Sequence, residues 1–323
     1  MRAAMLDAPL GDDVYGDDPS VNRVTQKVAE WVGHEAALLV PSGTQSNLIA
    51  LLTHCGRGDE YIVGQNYHTY YYESGGAASL GGIVPQPIAV EEAGHLDPAK
   101  IVQAIKPHDM HFARSRLLSL ENTHLGKVIA PAYFDQVIPL AREHGLAVHL
   151  DGARIFNAAV ALGIDVARLT RDADTVSICF SKGLGAPIGS MLCGSRDFIE
   201  QAKRWRKMVG GGMRQAGVLA AAMEYALDHH VERLAQDHEN AKRLENALRE
   251  IEELKVAPAQ TNMVYVELSS LALGLSAASY LKSKGFLLTG GQCIRLVMHL
   301  DVTSADLDSL VLHLKAFFRA QRR

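Results

Sequence analysis

The chain has 323 residues, 48% of them hydrophobic and 21% charged, with 32 basic against 36 acidic side chains and a formal net charge of −4. At roughly 100–200 residues per domain this length predicts two domains, with a core large enough to need no disulfide or structural metal. The slightly acidic balance excludes a broad basic field for nucleic acid, and no apolar run reaches the roughly 18 residues of a membrane-spanning helix. The first residues, Met1 to Asp7, lack the apolar stretch of a signal peptide. Cys55, Cys179, Cys193 and Cys293 stand without CxxC spacing and read as reduced, mostly buried thiols of a cytoplasmic protein.

In chain order, short runs rich in Val, Ile and Leu predict strands over 36–41, 60–64, 82–87, 117–120, 146–150, 175–181 and 190–194. Helical periods fall between and after them, over 21–32, 45–55, 130–144, 197–208 and 214–229. The alternation predicts a mostly parallel sheet with crossover helices, its last strand antiparallel because only a short loop precedes it. A long charged helix follows over 231–253, then strand 262–268, helix 276–284, strand 293–299 and helix 304–319. The expected fold is therefore α/β: a large domain over 1–232 with a mostly parallel seven-stranded sheet flanked by helices, and a small C-terminal α+β domain over 233–323.

Three places carry chemistry. Pro41-Ser42-Gly43-Thr44-Gln45-Ser46-Asn47 ends an apolar strand and opens a helix, and unpaired N–H groups at a helix start hold phosphate. Ordinary capping by Ser or Thr accounts for the same pattern. His149-Leu150-Asp151-Gly152-Ala153-Arg154 sets a carboxylate and a guanidinium where a strand leaves the sheet, which is where open α/β sheets bind ligands. A local Asp–Arg pair accounts for that one equally. Ser181-Lys182-Gly183-Leu184-Gly185 ends a strand on a lysine in a partly apolar setting, suited to Schiff-base chemistry or simply solvated. Together they supply what pyridoxal phosphate needs: a phosphate cradle, an acid for the ring nitrogen and a lysine for the aldehyde.

These segments, with Gly11-Asp12-Asp13-Val14-Tyr15-Gly16-Asp17-Asp18-Pro19, Glu121-Asn122-Thr123-His124 and Gly210-Gly211-Gly212-Met213-Arg214-Gln215, resemble the low-specificity L-threonine aldolases. Those are aspartate-aminotransferase-like, fold type I enzymes of pyridoxal 5'-phosphate. The resemblance implies that Lys182 carries the cofactor, that Asp151 pairs with its ring nitrogen, and that Gly43, Thr44 and Ser181 hold its phosphate. It implies Arg154 beside the cofactor and on the substrate carboxylate, with Arg295 as a second carboxylate ligand. His68 would stack on the cofactor ring and His111 lie near the substrate hydroxyl, two of fourteen histidines. Which group acts as base stays open between histidine and a histidine-bound water. Tyr72 would face the substrate pocket, and Lys207 would approach a neighbouring subunit's site in a homotetramer.

The implied reaction is retro-aldol cleavage of L-threonine, L-allo-threonine and related β-hydroxy-α-amino acids to glycine and an aldehyde. Two other readings compete: a related β-eliminating lyase or racemase on the same cofactor site, and a cofactor-binding subunit of low activity. The last follows from an N-terminal arm that the resemblance implies ahead of Gly11, with a serine for the substrate carboxylate, and that does not stand here. Losing one hydrogen bond to a charged carboxylate costs on the order of 1.5–3 kcal/mol, so the expectation is weakened substrate affinity with cofactor chemistry intact.

Overall fold

The computed structural model describes residues 1–322, in two units: residues 1–124 with 128–231, and residues 125–127 with 232–322. The first unit holds strands β1 (Ala36–Val40), β2 (Asp59–Gly64), β3 (Val84–Ile88), β4 (Arg114–Glu121), β5 (Ala147–Asp151), β6 (Thr175–Cys179) and β7 (Ser190–Gly194). They form one seven-stranded sheet in the order β1-β7-β6-β5-β4-β2-β3, with only β7 antiparallel to its neighbours. Strands β2, β6 and β7 are buried along their whole length, the pattern of a sheet covered on both faces, with polar Asp59, Glu60, Thr175, Ser177 and Ser190 buried among their apolar residues.

Helix Pro19–Val32 starts on Asp18, a fully buried N-cap whose carboxylate accepts from the N–H groups of Ser20, Val21 and Gly217. Helix Gly43–His54 starts on Ser42, whose hydroxyl accepts from Gln45 N. Ile49 and Ala50 of that helix pack with Leu38, Val40, Leu192 and Ile199 on one side of the sheet. In the second unit β8 (Lys255–Val256), β9 (Met263–Glu267) and β10 (Cys293–Val297) form an antiparallel sheet, β10-β9-β8. Helices Leu234–Leu248, Leu271–Lys282 and Ser304–Gln321 supply Leu244, Leu281 and Leu314 to its core.

The element boundaries differ from expectation for local reasons. Strand β3 begins at Val84 because Gly82, with φ 62°, closes a short helix Gly76–Gly81 in the left-handed region. The helix expected from residue 276 begins at Leu271, because the Ser270 hydroxyl caps Leu273 N. The charged helix is confined to Leu234–Leu248. Cys55, Cys179 and Cys193 are buried free thiols and Cys293 an exposed one. Among the described residues no helix is long and apolar enough to cross a membrane.

Candidate active site

Register brings the chemistry together. Glu121 at the carboxyl end of β4 pairs with Asp151 at the end of β5, and Asp151 pairs with Ser177 two residues before the end of β6. Asp151 is only 3% exposed, and its two oxygens accept from Ala153 N (3.0 Å) and Asn47 Nδ2 (2.8 Å). Asn47 reaches it from the first turns of helix Gly43–His54, so the helix start and the strand end are tied side by side. That start also abuts β6: a Cβ on Gly43 would lie 2.5 Å from Cys179 Sγ. Phe180, Ser181 and Lys182 follow Cys179, so the helix start at Gly43-Thr44 adjoins the chain leaving β6, and the two form one rim.

His68 opens a one-turn helix, His68–Tyr71, and faces this rim. Polar atoms of His68, Glu73 and Asp151 lie within 4.8 Å of one another. His68 Nδ1 is 2.8 Å from Glu73 Oε1, and Glu121 Oε2 accepts from His68 N at 2.7 Å. The bond to Glu73 and the charge of Asp151 hold the His68 pKa above its ordinary value, while burial and the nearby Lys182 ammonium oppose that. Glu73 is itself pushed up to about 7, mainly by burial and against the pull of His68 and Asn47. Glu121, buried and bonded to His124 Nδ1 at 2.8 Å, is also raised by burial. The Tyr72 ring lies 5.7 Å from His68 and is exposed. Arg154 precedes helix Ile155–Leu162, and its charge, like that of Lys182, bears on Cys179.

One expected residue, His111, does not gather here. His111 is exposed, bonded to Asp109, and stands three residues before the amino end of β4, whose carboxyl end carries Glu121. The strand's eight residues span about 23 Å at 3.3 Å per step, so within one chain His111 lies at the opposite edge of the sheet from Asp151. Lys207 is an exposed side chain in the last turn of helix Arg196–Met208, lining a cavity of about 530 Å³ with Asp13, Tyr15 and Lys203. Arg295 lies on β10 of the second unit and is exposed.

Other residues emerge only from the structure. Asn47, Glu73, Glu121 and His149 all bond within the cluster; Asn47, Glu121 and His149 stood inside quoted motifs, and Glu73 follows His68 by five positions. The Gly11–Pro19 and Gly210–Gln215 motifs join each other: Arg214 Nε pairs with Asp12 Oδ2 at 3.1 Å and Arg214 O accepts from Asp13 N at 2.9 Å, while Arg206, in the helix before the second motif, pairs through Nη1 with Asp13 Oδ2 at 2.8 Å.

Solved structures place this architecture first. A threonine aldolase from Leishmania major superposes with a TM-score of 0.80 at 22% identity, over 94% of this chain and 91% of that one. An SPT solved with PLP superposes at 0.76 with 18% identity, over 98% and 82%. At such identities the likeness speaks for the fold alone, and the fold is type I of the pyridoxal-phosphate enzymes.

Sequence narrows the class. The β-eliminating lyase family model matches residues 1–270. A low specificity L-threonine aldolase from Escherichia coli O157:H7 is 52% identical over 320 residues, 98% of this chain and 95% of that protein. Low-specificity L-threonine aldolase 1 from Arabidopsis thaliana is 43% identical over 318 residues, 95% and 89%. The chain belongs to the β-eliminating lyase family, among the low-specificity L-threonine aldolases, and is a lyase.

Proposed function

We propose that the chain cleaves L-threonine, L-allo-threonine and related β-hydroxy-α-amino acids to glycine and an aldehyde, using pyridoxal 5'-phosphate, as a cytoplasmic homotetramer. The observation that carries the reading is Asp151, a buried carboxylate held by two donors, with His68 beside it and Lys182 close to both His68 and Cys179. The residues fit the cofactor. Asp151 suits a protonated ring nitrogen; Gly43, lacking the Cβ that Cys179 would exclude, suits close backbone approach by phosphate with Thr44 and Ser181; Lys182 suits the aldehyde. When bound, pyridoxal phosphate supplies the electron sink for the pair left on Cα as the Cα–Cβ bond breaks.

The chain's own side chains do the rest. His68, tied at Nδ1 to Glu73, takes the β-hydroxyl proton at Nε2, and Glu73 offsets the charge that forms. Arg154 takes the substrate carboxylate through paired hydrogen bonds, for which lysine is a poor substitute, and Arg295 keeps the second carboxylate role. Tyr72 walls the aldehyde side. Lys207 and His111 serve a neighbouring subunit's site in this reading, and His111 stands before the amino end of β4, away from Asp151 within one chain.

The test is visible absorbance of the cofactor-loaded protein before and after L-allo-threonine, with products measured. A changed spectrum with glycine and acetaldehyde supports the reading. Ammonia plus a keto acid would assign a β-eliminating lyase instead, and an unchanged spectrum without product would leave a cofactor-binding subunit.

A further inference from the structure

Behind Asp151 a line of polar side chains crosses the buried sheet, and its hydrogen bonds all run one way. Asn47, 1% exposed, uses its whole amide: Nδ2 donates at 2.8 Å to Asp151 Oδ2 and at 2.8 Å to Glu73 Oε1, while Oδ1 lies 3.0 Å from His149 Nε2. A flipped amide would set its oxygen against two carboxylates, so the orientation is fixed, and His149 must donate from Nε2. His149 Nδ1 then accepts from Thr175 Oγ1 at 2.9 Å, which leaves Thr175 to accept from His54 Nε2 at 2.8 Å. Burial holds both histidines neutral, His149 at about 4 and His54 at about 3. Every donor points toward the two carboxylates.

We propose that Asn47, locked by the His54–Thr175–His149 line, is a positioning residue that keeps Asp151 and Glu73 in separate roles, Asp151 as a fixed anion and Glu73 as the proton partner of His68. With their ligand atoms within 4.8 Å of each other and of His68, the charge on Asp151 raises the proton affinity of Glu73. One amide hydrogen on each carboxylate opposes that. The groups facing these atoms are few. Asp151, Lys182 and Glu73 face His68, with Glu121 on its main chain; Asp151 and Tyr61 neighbour Glu73; Arg116 acts on His54 and Asp151 on His149.

The roles assigned to Asp151 and His68 rest on the function proposed above, so the deciding measurements are made on apoprotein. In ¹⁵N-histidine-labelled apoprotein, His149 and His54 should be neutral Nε2–H tautomers between about pH 5 and 9, the range left free by their depressed values. A charged or Nδ1–H His149 overturns the line, and this needs no substitution. In Asn47→Leu, Glu73 loses a donor, protonates more readily and ceases to be an anion beside His68. His68 should then titrate lower by about one pH unit, a tenfold change in proton affinity, and the acid limb of the threonine-cleavage profile should move with it. An unmoved His68 in a folded Asn47→Leu apoprotein refutes the proposal even if threonine is cleaved. A shifted His68 in a chain that cleaves nothing refutes only the proposed function.

Discussion

Gly43→Ala tests the geometry of the cofactor rim, because helix physics and packing predict opposite signs for it. At the first turn of a solvent-facing helix, alanine gains up to about 1 kcal/mol over glycine. Here the new Cβ would lie 2.5 Å from Cys179 Sγ, roughly 0.9 Å inside the 3.4 Å of ordinary contact. The sulfur cannot swing away: Cys179 is 4% exposed and bonded to the Ser190 hydroxyl at 3.2 Å. The helix start must retreat, carrying Thr44 from the rim and straining the Asn47–Asp151 bond four residues on. Overpacking of this kind costs about 1–3 kcal/mol, or roughly five- to 150-fold in cofactor affinity if the strain falls on the rim. Fluorescence titration of apoprotein with pyridoxal phosphate reads that factor, and chemical denaturation reads the remainder. Cys179→Ala should restore both in the double variant, because it removes the colliding atom. Cofactor affinity and stability unchanged in Gly43→Ala would refute the contact on which the cradle rests.

Asp151→Asn sets an amide hydrogen against Asn47 Nδ2 or Ala153 N and removes the anion, so turnover should fall by about 10²–10⁴, the roughly 3–5 kcal/mol of a broken buried pair; glycine release at saturating cofactor checks it. Glu73, raised from 4.5 to about 7, binds a proton in the folded state that the unfolded chain releases, and His68 is raised too. Both signs make the apoprotein lose stability as pH rises, through about 4.5 to 7 for the acid and from 6.5 upward for the histidine, and Glu73→Gln should flatten the acid's share in urea midpoints. Asp18→Ala leaves the buried N–H groups of Ser20, Val21 and Gly217 unpaired at about 1–3 kcal/mol each, which calorimetry should read as a Tm loss of at least several degrees. Mixed oligomers of inactive Lys182→Ala and His111→Ala chains should regain threonine cleavage if His111 serves a neighbour; mixing without recovery sinks that assignment.

Much of the fold was legible because strands buried on both faces carry a run of apolar residues at their centre, as in Tyr61-Ile62-Val63 of β2 and Met191-Leu192-Cys193 of β7. The one-turn helix His68–Tyr71 offers no period to detect, and β8 has two residues. The site divides along the same physical line. Lys182, Asp151 and Gly43 each sit where a strand ends or a helix begins, so local pattern marks them. The polar atoms that set their charge states do not follow each other in sequence: Asn47 meets Glu73 26 positions on and Asp151 104 on, while His54 meets Thr175 121 on. Only the strand order β6-β5-β4, with Glu121 opposite Asp151 and Asp151 opposite Ser177, brings them to one edge. That same order explains His111. A residue that enters β4 at its amino end cannot share the carboxyl edge of its own sheet, so sequence resemblance can name its role while one chain's topology denies it the position.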